Sequence, residues 1–259
     1  MAKFLNVGHR GAAAYAPENT VASFEEAIAR HADMVEFDIR RTRDGVIVLF
    51  HDDSIVTPKG ERKPISKVTS EELSQLARVN GYELAAFEEV LKRFGSRIPL
   101  NIEIKDGGFE REVVGLLKQY KPAFEPAFSS FSPWVIARLK RIDKSLKTAL
   151  IVGRMRFMGF NILFRPIMQL IVRSLGIEAM HLRGSLVSPN VVENLSRAGV
   201  TTLVWTVNDP DEMRRFLKMG VGGIFTDKPD VLYDVCLEMA DAAVLKKVSE
   251  EIGRFTYAV

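Results

Sequence analysis

Cysteine is nearly absent from this 259-residue chain, where Cys236 stands alone. One thiol forms no intrachain disulfide and builds no cysteine-based zinc cluster, which makes the reducing cytoplasm the expected location. No secretory pattern opens the chain either: after Met1-Ala2-Lys3 the apolar run is only Phe4-Leu5-Asn6-Val7, the size of a strand. Long hydrophobic runs are missing. The longest apolar region, around Phe157 to Val172, is interrupted by Asn161, Arg165, Pro166 and Gln169, and is not expected to span a bilayer. Charge of one sign does not dominate, and a net charge of +3 gives no ground for a nucleic-acid partner. No Gly-rich nucleotide fingerprint follows the first strand-like run, which counts against a doubly wound dinucleotide fold.

What is present is a repeating alternation of short β-type runs and amphipathic helical segments. Strands are predicted at 4–8, 34–39, 46–50, 100–105, 127–131, 148–152, 178–182, 202–207 and 222–226. Helical patterns lie between them, and Ser132-Pro133, Ser188-Pro189, Asp209-Pro210 and Lys228-Pro229 mark helix starts. Such alternation implies a parallel sheet, closed as a barrel or doubly wound. Two places break it. Arg43-Asp44-Gly45 is too short for a crossover helix and predicts a hairpin. Residues 52–86 form a polar, partly helical insertion after His51. No linker or internal repeat divides residues 1–259, so a single domain is expected.

Polar residues gather at strand ends, where barrel enzymes place their chemistry. His9 and Arg10 follow the first strand, and His51 and Asp52 follow the third. Glu36 and Asp38 are two apart in an otherwise apolar strand and so share a face, as do Asn101, Glu103 and Lys105. Trp205, Asn208 and Asp227 end later strands. Three carboxylates converging from two strands suit a hard cation, Mg²⁺ or Ca²⁺, while histidines, Arg and Lys supply acid–base groups and phosphate donors. Each residue alone has a structural explanation, such as an in-barrel ion pair; together they would be costly to bury without a purpose. Of the remaining histidines, His31 is expected at the surface and His181 is a candidate lining residue.

The ordered segments Gly8-His9-Arg10-Gly11, Ala16-Pro17-Glu18-Asn19-Thr20, Val35-Glu36-Phe37-Asp38, His51-Asp52, Asn101-Ile102-Glu103-Ile104-Lys105, Ser130-Phe131-Ser132, Trp205-Thr206-Val207-Asn208 and Thr226-Asp227-Lys228-Pro229 resemble the signature of the glycerophosphodiester phosphodiesterase family from about residue 7 to about residue 230. The resemblance implies a (β/α)8 TIM barrel that binds one divalent cation and hydrolyses glycerophosphodiesters to glycerol 3-phosphate and an alcohol. By position it implies Glu36, Asp38 and Glu103 as metal ligands, and His9 and His51 as the acid–base pair, in an order it leaves open. Arg10 and Lys105 would hold the phosphate and Trp205 would line the substrate groove. Glu18 and Asn19 would support them, although Asn19 could instead simply cap the following helix. The sequence departs from the family pattern in the insertion, at Ser54–Gly60 and Leu84–Phe87, which leaves the substrate open. A lysophospholipase D acting on lysophospholipids is one alternative, and a non-catalytic membrane-surface or interaction protein on the same barrel is another.

The stretch at about 153–176 is apolar and basic. Arg154, Arg156, Arg165 and Arg173 flank or interrupt its Met, Phe, Ile and Leu residues, and no acid offsets them. Residues 154–173 read either as an interfacial segment making peripheral contact with the inner membrane face or as an ordinary packed barrel helix. Oligomeric state is not encoded in any recognisable pattern.

Overall fold

Eight parallel strands close into a barrel in the computed structural model, which describes residues 4–153, 172 and 174–240. The barrel strands are β1 (Leu5–Gly8), β2 (Met34–Arg41), β6 (Leu100–Ile104), β7 (Ala127–Ser130), β8 (Lys147–Val152), β9 (Ala179–Arg183), β10 (Thr201–Trp205) and β11 (Gly223–Thr226). β1 pairs with both β2 and β11, which shuts the ring. All nine strands expected from the sequence are present within a residue or two of their expected bounds. The ninth, β3 (Ile47–Leu49), runs antiparallel to β2 across the Arg43-Asp44-Gly45 turn, where Gly45 adopts a φ of 87°.

Closure follows from two-faced burial. On β2 the outward Val35, Phe37 and Ile39 are fully buried, and the Phe37 ring lies 5.4 Å from Phe24 of helix α1 (Val21–Ala29) and 6.1 Å from Phe87 of α3 (Phe87–Phe94). A ring buried this completely contributes about 1.5–3 kcal/mol of transfer free energy, so the outer face locks β2 to its helices. The inward face of the same strand carries Glu36 and Asp38.

Helix starts obey the capping chemistry of the sequence. Thr20 caps α1 and Thr69 caps α2 (Ser70–Val79), each through a reciprocal capping box. Ser188 and Asp209 cap the helices Pro189–Arg197 and Pro210–Lys218, and both helices place proline in the first turn. Helix α4 (Glu110–Tyr120) and helix α5 (Pro133–Ile142) complete the outer ring on the β6–β8 side, and residues 229–240 are helical.

The 52–86 insertion is more organised than its polarity suggests. Strands β4 (Ser54–Val56) and β5 (Arg62–Pro64) form a hairpin, and with α2 they enclose a small core of Val48, Ile55, Ile65, Val68 and Leu73. Among the described residues no helix is long and apolar enough to cross a membrane. The segment 154–173, Val172 excepted, lies outside the described residues.

Candidate active site

Strand register brings the carboxylates together. Asp38 and Glu103 are direct partners on β2 and β6, and Glu36 lies one inward position below Asp38. Ligand oxygens of Glu36, Asp38 and Glu103 all fall within 4.8 Å of one another, and all three residues are buried. Lys105, just past β6, sets its ammonium 2.6 Å from Glu103 Oε1 and 3.0 Å from Asp38 Oδ1.

Arg10 enters through an unusual backbone. Its φ is 52°, a left-handed conformation uncommon for a residue with a side chain, and Gly11 follows at 89°. Any Cβ on Gly11 would lie 2.3 Å from Ser23 Oγ, so the tight bend after β1 requires glycine. The bend aims the Arg10 backbone N–H at Glu36 Oε2, at 2.9 Å, and brings its guanidinium within 3.3 Å of Asp38 Oδ2. Glu18 accepts from Arg10 Nη1 with both oxygens at 2.8 Å. Asn19 does not cap α1, a role taken by Thr20; it hydrogen-bonds Asp38 instead.

The electrostatics of the cluster are polarised. Burial, reinforced by Asp38 and Glu103, pushes Glu36 well above the usual carboxylate range. Burial and Asp38 push Glu103 up to about 7. Asp38 resists: burial opposes its charge, but Lys105, Arg10 and the Asn19 hydrogen bond hold it below its ordinary value. Were all of them charged, Glu36, Asp38, Glu103 and Glu18 would outnumber Arg10 and Lys105 by two. Asp38 Oδ1 accepts no well-directed hydrogen bond, although the Lys105 ammonium is close. An all-oxygen set with an uncommitted buried lone pair and carboxyls forced toward neutrality fits a hard divalent cation.

Two of the histidines at the cavity, His9 and His51, are oriented by carboxylates. His9 Nδ1 lies 2.7 Å from Asp227 Oδ1, and His51 Nδ1 lies 2.7 Å from Asp52 Oδ1. A carboxylate acceptor places the proton on Nδ1 and leaves Nε2 for chemistry. Asn208 donates to the other Asp227 oxygen, and burial's tendency to raise Asp227 is overcome by the bonds from His9 and Asn208, so that it stays below its usual range. Burial lowers His51 from its ordinary value. Arg40, two residues past Asp38 on β2, donates to the His51 carbonyl from Nε at 3.0 Å and Nη2 at 2.8 Å.

These groups line one cavity of about 400 Å³, together with Ser129, Phe131, Ile151, His181, Trp205 and Phe225. His9, Arg10, Glu36, His51, Glu103, Lys105 and Trp205 therefore share a single space, with Asp38, Glu18 and Asn19 bonded to Arg10 or to one another behind it. None of residues 52–86 lines the cavity, so the insertion does not form its wall. His31 is exposed and stacks on Tyr233 at 4.2 Å. Sequence reasoning notes Asp227 at a strand end without giving it a role, and it does not single out Arg40 or Phe131. The position of Asp227 directly after a strand is the one available signal, and its pairing with His9 across 218 residues carries no spacing signature.

A barrel mouth with clustered carboxylates, an arginine, a lysine and two oriented imidazoles is suited to hydrolytic phosphoryl transfer. Residues 9–231 match the glycerophosphoryl diester phosphodiesterase family model, and the chain belongs to that family. The protein YhdW of Bacillus subtilis (strain 168) is 32% identical over 237 residues, covering 87% of this chain and 95% of its own length. A glycerophosphodiester phosphodiesterase of Caldanaerobacter subterraneus subsp. tengcongensis is 29% identical over 246 residues, 90% of this chain and 98% of its own. An Oleispira antarctica phosphodiesterase, solved in complex with the product sn-glycerol-3-phosphate, superposes with a TM-score of 0.76 at 25% identity, covering 89% of this chain and 95% of that one.

Proposed function

We propose that this chain hydrolyses glycerophosphodiesters to glycerol 3-phosphate and an alcohol, with Glu36, Asp38 and Glu103 holding one Mg²⁺ or Ca²⁺ ion. The observation that carries the reading is the convergence of those three carboxylates within 4.8 Å beside Arg10, Lys105 and two carboxylate-oriented histidines. When bound, the cation supplies Lewis acidity, lowering the pKa of a hydroxyl or water and offsetting phosphoryl charge. Arg10 and Lys105 bind the non-bridging phosphate oxygens; both stay cationic, since burial is outweighed by the surrounding carboxylates and their pKa values are raised. His9 and His51 exchange protons with the attacking and leaving oxygens through Nε2. His51 is suited to accept a proton at neutral pH, because burial favours its uncharged form. Trp205 fixes the substrate edge: its Nε1 donates to the His181 carbonyl at 3.0 Å, and its ring meets Phe131 edge-on at 5.6 Å.

The test is a side-by-side assay of glycerophosphoethanolamine, glycerophosphocholine and a lysophospholipid, with Mg²⁺, with Ca²⁺ and with chelator. Glycerol 3-phosphate released from the first two, dependent on cation, is the expected result. Turnover of the lysolipid alone would assign the chain to lysophospholipase D chemistry, and no turnover of any diester would overturn the reading.

A further inference from the structure

Trp205 borders two spaces at once. One is the catalytic cavity; the other is a wider open groove of about 1180 Å³ lined by Arg183, Ser185, Thr206, Glu212 and Arg215. The groove starts at the chemistry, for Thr206 Oγ1 lies 3.5 Å from His9 Nε2. Arg183 is the last residue of β9, at the C-terminal end of the barrel, and its register partner on β10 is Trp205. Among the described residues its side chain makes no hydrogen bond or ion pair. Among the described residues no carboxylate pairs with it, and residues 153–177, which connect β8 to β9, contain no Asp or Glu. The other two charges in the groove satisfy each other: Arg215 donates to Glu212 and lies 4.3 Å over the Phe216 ring. Among the described residues, the uncompensated charge of the groove is therefore that of Arg183.

Resting on the proposed reaction, the geometry follows from where the diester must lie. With the glycerol hydroxyl and phosphate held at the carboxylates of β2 and β6 and at Arg10 and Lys105, the second ester oxygen and its alcohol extend toward the opposite wall, β9 and β10. We propose that this groove receives the alcohol half of the diester and that Arg183 makes it selective for alcohols carrying a carboxylate. A guanidinium pairs a carboxylate through two parallel hydrogen bonds, and an unpaired one at the rim of a site is free to do so.

Glycerophosphoserine and glycerophosphoethanolamine form the test pair, since their alcohols differ by one carboxylate. The enzyme should show a higher kcat/KM for the serine diester, carried mainly by KM. Arg183→Gln should lower the serine-to-ethanolamine ratio about tenfold, the scale of one charge-assisted pair. Arg183→Lys, which keeps the charge without the fork, should hold an intermediate ratio, and the wild-type preference should shrink as salt rises. A wild-type enzyme indifferent to the carboxylate, or a ratio unmoved in Arg183→Gln, would overturn the role of Arg183 while leaving the diesterase reading intact. Failure to hydrolyse either diester would remove the reading itself and this inference with it.

Discussion

Asn19 grips Asp38 with both halves of its amide: Nδ2 donates to Asp38 Oδ2 at 2.9 Å, and Oδ1 accepts the Asp38 backbone N–H at 3.0 Å. Such a clamp sets the direction of a carboxylate whose other oxygen would face the proposed cation. Asn19 itself sits at a φ of 59°, which asparagine tolerates better than most residues. Asn19→Gly therefore removes the amide without adding backbone strain. Cation affinity should fall roughly 10–100-fold, the usual cost of losing a group that orients a metal ligand. Calorimetric titration with Mg²⁺ and Ca²⁺ checks it, and an unchanged affinity would make the clamp merely structural.

Glu36 offers a cleaner separation of metal binding from folding. Without cation its carboxyl is pushed toward the neutral form, so glutamine closely imitates it and still accepts from the Arg10 N–H. Glu36→Gln should keep its metal-free stability within about 1 kcal/mol of wild type. The variant should lose the rise in Tm that saturating cation gives wild type, a rise that follows from binding the folded state alone. Thermal melts with and without cation, alongside turnover, decide the matter. Full activity in the presence of chelator would sink the metal assignment.

His9 and His51 should each cost roughly 10²–10⁴-fold in rate when replaced by alanine, the range for general acid–base groups. Their supporting carboxylates should not be equal. Asp227 is 24% exposed and held by Asn208, whereas Asp52 is 64% exposed. Water can replace Asp52 more readily, so Asp227→Asn should lower kcat clearly more than Asp52→Asn. A diester with a good leaving group should rescue whichever histidine acts as the acid and leave the other variant impaired. Equal losses for the two asparagine variants would contradict the exposure argument.

The barrel was legible because its signals are local. Alternating apolar and polar residues in Val35-Glu36-Phe37-Asp38-Ile39 give the strand, its two faces and two site carboxylates together. Glu103 and Lys105 are readable for the same reason. The insertion reads from sequence only as polar and partly helical, because the polar residues of its short strands hide the hairpin. What the alternation alone does not carry is closure, which the family resemblance supplies. The pairing of β1 with β11 places His9 beside Asp227, and the antiparallel pairing of β2 with β3 brings Arg40 to the His51 carbonyl. Neither contact has a fixed sequence spacing, and the left-handed turn of Arg10 has no residue signal of its own beyond the Gly11 that follows.

His181 gives the fold an acid weakness. Its ring is buried in the barrel 4.6 Å from Phe225, and burial alone lowers it from 6.5 to about 3. Above pH 6.5 both folded and unfolded chains hold a neutral ring there, and the residue contributes no pH dependence. As pH falls from 6.5 toward 3 the unfolded chain takes up a proton that the folded chain refuses, so stability drops through that window and levels off below it. The slope assigned to this one ring approaches 1.4 kcal/mol per pH unit. Replacing His181 with leucine removes the titrating group but also changes the packing, so the comparison belongs in the pH slope and not in absolute stability. Urea unfolding of both proteins without added cation at pH 7.5, 6.0, 5.0 and 4.5 should give a variant whose stability declines less steeply with acid than wild type. Parallel slopes would mean that the ring is protonated in the folded barrel, or is solvated well enough to titrate as it does in the open chain.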